Sequence, residues 1–148
     1  MIHRFSPFLQ RPEVLLILLS VAMPLSFSTW QALLNNFAIE QAQFGGVEIG
    51  ILQSLREVPG FLSFGVVFLL LIMAEQPLAF IALILLGIGT AVTGLFSTEL
   101  GLYVTTVMMS IGFHYFETLR QSLALQWLDK EQAPIALGRM VSAGAFAG

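Results

Sequence analysis

Cysteine is missing from this sequence, which removes disulfides, thiolate nucleophiles and cysteine-ligated metals together. Charge is nearly as scarce. Asp, Glu, Lys and Arg make up 10% of the 148 residues, against about 25% in an ordinary soluble domain. Histidine occurs only at His3 and His114. His114 and Glu117 stand at a spacing used in carboxylate metal sites, but such sites draw further Glu and His from other helices. No metal and no cofactor is therefore expected. The signatures of serine hydrolases, zinc peptidases and phosphate-binding loops are also missing. No nucleophile stands at a recognisable spacing from a base, so the chain does not read as an enzyme. Nor is there a basic patch for nucleic acid.

What is abundant is hydrocarbon. Hydrophobic residues reach 57%, with 13 Phe, and mean hydropathy is +0.87. A soluble fold of this size could not bury so much apolar surface, so the composition is that of an all-α integral membrane protein. A spanning helix needs about 20 apolar residues, and four stretches qualify: 14–37, 48–73, 78–96 and 102–128. Gly45 and Gly46 mark a turn after the first, Pro77 suits the first turn of the third, and Trp127 suits an interfacial anchor ending the fourth. A fifth apolar segment begins near Ile135. Residues 135–148 would make about 21 Å of helix against a hydrocarbon core of about 30 Å, so residues 1–148 read as one incomplete transmembrane domain. Arg4, Arg11, Lys130 and Arg139 gather on one side, whereas loops 38–47 and 97–101 have no Lys or Arg. That bias places the N-terminus in the cytoplasm, and a bacterial cytoplasmic (inner) membrane is the expected location.

The few polar residues are ordered. Thr106, Ser110, His114, Glu117 and Gln121 follow the three- and four-residue spacing of one face of the fourth helix, with Arg120 beside Glu117. Ser20, Pro24, Ser28, Gln31 and Asn35 repeat that pattern on the first. Lipid cannot satisfy such faces, so they are expected to meet across a polar cavity. On the second helix Arg56 and Glu57 precede Pro59, which removes a backbone hydrogen bond and kinks the helix. By rise alone Glu57 and His114 lie within about 5 Å in height if their helices are neighbours, and Glu117 can pair with Arg120 at i, i+3. A charge at the bilayer centre costs about 2.5–3.5 kcal/mol on insertion scales and by default points to function. His114, Glu117, Arg120, Gln121, Gln31, Asn35, Ser28, Arg56 and Glu57 are therefore the candidates for a substrate or proton pathway. The third helix, with Gly87, Gly89 and Gly94, reads as lipid-facing or scaffolding. Gly144 and Gly148 suit close helix packing.

Two passages carry a family resemblance. "LQWLDKEQAPIALGRMVSAGAFAG" is similar to the loop between the fourth and fifth helices of major facilitator superfamily transporters, and "GILQSLREVPGFLSFG" to their second helix. Over its whole length the chain resembles the N-terminal part of such a protein, as four complete transmembrane helices and the start of a fifth. Where the family often has Gly, Asp and several Arg between helices two and three, this chain has "MAEQPLA". The resemblance implies two halves built of inverted three-helix repeats, with the substrate near the midplane and helices one and four lining the cavity. The implied function is secondary transport of a small-molecule substrate by alternating access. A proton is a candidate coupling ion, and a missing C-terminal half or a second copy would supply the opposing wall. The alternative from another class is a four-helix membrane scaffold or assembly subunit with structural intramembrane ion pairs.

Overall fold

The computed structural model describes residues 12–148. His3, Arg4 and Arg11, two of them used above for orientation, lie outside the described residues. Helix α1 runs Pro12–Ala42. Pro12 suits its first position, where the missing N–H has no partner to lose, and Pro24 within it leaves the Ser20 carbonyl without its donor four residues on. The helix stops where Gln43 turns into the left-handed region, at φ 57°, and the Phe44 N–H reaches back to the Ala38 carbonyl at 3.0 Å. That bond, spanning six residues instead of the helical four, ends the ladder.

Helix α2, Gly46–Phe61, starts with the Gly45 N–H donating to Glu48 Oε2 at 2.9 Å, which satisfies one donor the helix cannot. The expected span 48–73 does not form as one helix. α2 ends at Phe61, a 3₁₀ turn takes Ser63–Gly65, and a short α3 takes Val66–Leu70. Pro59 removes a rung of the ladder and Gly60 costs about 1 kcal/mol of helix propensity, so the break falls just after them. Helix α4 is Glu75–Thr93 and α5 is Glu99–Trp127. The Thr98 hydroxyl caps α5 by accepting from the Gly101 N–H at 3.2 Å. Helix α6 is Ala133–Ala147, with Pro134 in its first turn.

Among the described residues, two helices are long and apolar enough to cross a membrane, α1 and α4. The expectation of four complete transmembrane helices in a transporter-type N-terminal bundle is corrected to these two. α2 makes only about 24 Å of helix. α5 has the length, but Thr105, Thr106, Ser110, His114, Glu117, Arg120 and Gln121 dilute its apolar character. In the most apolar stretch of α1 only 28% is buried, and in that of α4 only 33%, so neither is a helix enclosed by its own bundle. Phe61 and Phe146 stand almost entirely outside, at 83% and 96% exposed.

Helix α5 is the hub, with α4 packed along it and α2 and α1 against its other sides. Two glycines allow the closest approach. A methyl group on Gly89 would lie 2.7 Å from the Met109 backbone, and one on Gly112 would lie 2.7 Å from the Ala82 carbonyl oxygen. Helix α1 joins α4 through hydroxyls. Trp30 Nε1 donates to Thr93 Oγ1 at 3.2 Å, and Ser26 Oγ donates to Thr90 Oγ1 at 3.1 Å. The two threonines of the third apolar segment thus turn toward α1. Helix α6 lies on α1, where Gly144 faces the Ser20 carbonyl and Gly148 faces the Ser28 hydroxyl. At the other end of that contact Arg139 Nη1 donates to Glu13 Oε1 at 2.6 Å, which brings the starts of α1 and α6 to the same end of the bundle.

Candidate functional site

The polar face of α5 divides between two neighbours. Toward α1, Arg120 holds Glu117 with two bonds, Nη2 to Oε1 at 2.6 Å and Nε to Oε2 at 3.2 Å. This is the strong side-on geometry of a guanidinium and a carboxylate. Arg120 Nη1 also donates to Ser20 Oγ on α1 at 3.2 Å, and the Ser20 hydroxyl in turn donates to the Leu16 carbonyl at 2.8 Å. Gln121 Nε2 adds a third bond to Glu117 Oε1 at 3.0 Å. Both charges are largely covered, Arg120 with 12% of its side chain exposed and Glu117 with 29%. Helical geometry explains the cluster, because residues 117, 120 and 121 share one face and the small side chain of Ser20 leaves room for a guanidinium between the helices.

Toward α2, the Ser110 hydroxyl donates to the Arg56 carbonyl, in the turn that Pro59 interrupts. Arg56 is bonded to its neighbour Glu57, Nη2 to Oε1 at 2.6 Å, so the carboxylate proposed as a partner for His114 is taken locally. The half-buried His114 ring lies instead against Gly60, where a methyl group would come within 2.9 Å of it. Its other side meets Phe113 edge-on, with centroids 5.0 Å apart. Helices two and four of the sequence reading are neighbours, but a glycine contact rather than an ion pair joins them at this height. Ser110→Ala removes one buried bond to a main-chain carbonyl. It should cost about 1 kcal/mol, read as a lower midpoint in thermal unfolding followed by circular dichroism.

The α1 stripe does not face α5 as a unit. Ser20 meets Arg120, and Pro24 and Ser28 meet the glycines of α6. Gln31 is exposed, and Asn35 accepts from Gln53 Nε2 of α2 at 3.4 Å. Between the two polar clusters Phe27 of α1 stacks on Phe113 of α5, centroids 4.3 Å apart. Periodicity of polar residues alone could not find this pair, because both members look like ordinary core.

Between α1, α5 and α6 lies a cavity of about 360 Å³, lined by Ser20, Met23, Pro24, Phe113, Glu117, Arg120, Met140, Val141 and Gly144. It joins the bidentate ion pair to a mostly apolar wall. Such a site can hold a small amphipathic solute by burial of its body and hydrogen bonds to its head. Among the described residues no three His, Asp or Glu side chains are placed to hold a metal ion. Comparison with known protein families, curated proteins and solved structures finds no match to the chain.

Proposed function

We propose that the chain is part of a membrane-embedded secondary transporter of the major facilitator type, moving a small molecule by alternating access. In this reading α1 and α4 cross a bacterial cytoplasmic membrane, and the end marked by Glu13 and Arg139 faces the cytoplasm. The observation that carries it is the Glu117–Arg120 pair, bonded to Ser20 beside a cavity of about 360 Å³. Ser20 belongs to α1, so the pair bonded to it is put at the depth of a crossing helix although α5 is not itself one; ionisable groups at membrane depth are expensive, and in membrane proteins they turn to cavities and mark pathways. The outward apolar faces of α1 and α4 support immersion in lipid. The polar side chains left exposed at Gln31, Asn35, Glu57 and Gln121 call for a second polar wall, from the remainder of a longer chain or from a second copy. A proton is the candidate coupling ion, through Glu117.

The chain has no cysteine, so single cysteines can be labelled in it without background. In sealed membrane vesicles, Gln31→Cys is expected to react with a membrane-impermeant maleimide supplied from either side, as a groove that opens alternately requires. Ile84→Cys, on the exposed apolar side of α4, should react from neither. Labelling of Gln31→Cys from one side only, or from neither, would replace transport with the scaffold reading, in which the charges only hold helices together.

A further inference from the structure

We infer that the cavity between α1, α5 and α6 takes a neutral amphipathic molecule, an apolar body with an amide-like head, in preference to a carboxylate or an ammonium ion. This rests on the transport reading and names the substrate class of the same cavity. Met23, Pro24, Phe113, Met140 and Val141 give the body its apolar surroundings, and Glu117, Arg120 and Ser20 give the head its partners.

The head group follows from the unused hydrogen-bonding capacity. A guanidinium has five N–H donors. Arg120 commits three of them, two to Glu117 and one to Ser20, which leaves two. An ionised carboxylate has roughly four acceptor positions. Glu117 uses three, two on Oε1 for Arg120 and Gln121 and one on Oε2 for Arg120, which leaves one on Oε2. The cavity therefore offers both donors and an acceptor, from two groups whose charges cancel.

A primary amide carries the matching set. Its carbonyl oxygen accepts from the free guanidinium N–H groups, and its own N–H donates to Glu117 Oε2. A carboxylate ligand could accept from Arg120 but would meet the Glu117 charge. An ammonium ligand could donate to Glu117 but would meet the Arg120 charge. Either ion would also give up part of its hydration against a mostly apolar wall without net countercharge, which a neutral head does at smaller cost. An uncharged head avoids both penalties.

Benzamide, benzoate and benzylammonium share one ring and differ in the head. Equilibrium binding of each labelled compound to the full chain in detergent micelles at neutral pH is expected to favour benzamide by at least about tenfold over either ion. Val141 lines the cavity from an exposed position. Val141→Trp should therefore block the cavity while keeping the fold, and it serves as the measure of partition into the micelle. Equal or tighter binding of benzoate or benzylammonium overturns the amide assignment and leaves the cavity as a binding site. Benzamide binding that Val141→Trp does not reduce, or no binding by any of the three, overturns the cavity assignment as well. Failure of the transport reading is observed separately, in the two-sided labelling of Gln31→Cys.

Discussion

Gly112→Leu is expected to yield no recoverable folded protein, and Gly112→Ala to lower stability by about 3 kcal/mol, the upper part of the range for overpacking. The reason lies in what a side chain would hit. Beyond the Gly112 Cα are the Ala82 carbonyl oxygen and the Leu86 backbone of α4, and main chain cannot rotate aside as a side chain can. α4 would have to move bodily off α5, taking Gly89 away from Met109 and loosening the Trp30 and Thr93 contact to α1. Gly87 is the control. Nothing lies within 4 Å of a methyl group there, so Gly87→Ala should stabilise by about 0.5–1 kcal/mol through helix propensity alone. Thermal unfolding in micelles and recovery on size exclusion measure all three variants. Wild-type stability of Gly112→Ala would mean that α4 and α5 do not approach as described.

Arg120→Met is the second large effect. It leaves Glu117 partly buried with only Gln121 as partner, and removing one side of a buried pair costs about 3–5 kcal/mol. Because Glu117 keeps some exposure, about 3 kcal/mol is expected. The double variant Glu117→Gln, Arg120→Met should recover most of that loss, since no charge is then stranded. Unfolding measurements on the two single variants and the double complete a cycle. Strict additivity of the two losses would show that the side chains act independently and would remove the ion pair from the account of the site.

The helical character, a break close to Gly45 and Gly46 and a fifth apolar segment were legible from hydrophobic runs and breakers, although the chain turns at Gln43, with Gly46 already in α2, and α6 starts at Ala133, two residues before Ile135. The i, i+3 spacing also put Glu117 and Arg120 on adjacent positions of one face. Hydropathy could not show that 48–73 breaks into α2, a 3₁₀ turn and α3, because Phe61, Leu62, Phe64 and Val66 keep the segment oily across the break. Pro59 signalled a kink, but whether a kink becomes a stop depends on the packing of Tyr115 and His114 over Gly65 and Gly60. Such long-range contacts leave no mark in local sequence. For the same reason the α1 stripe looked like a single wall. Its angular spacing was correct, yet three different neighbours share it, since α6 occupies the part next to Pro24.

Ser20 sets a direction on this network. Its single proton is given to the Leu16 carbonyl, so toward Arg120 it can only accept, and a guanidinium does not give up its proton in a protein. A hopping chain of hydroxyls and ionised groups therefore has no continuation across α1. If a proton reaches Glu117, it must arrive and leave through the cavity, at the acceptor position of Oε2 that neither Arg120 nor Gln121 occupies, and the helix that holds Arg120 in place also insulates it.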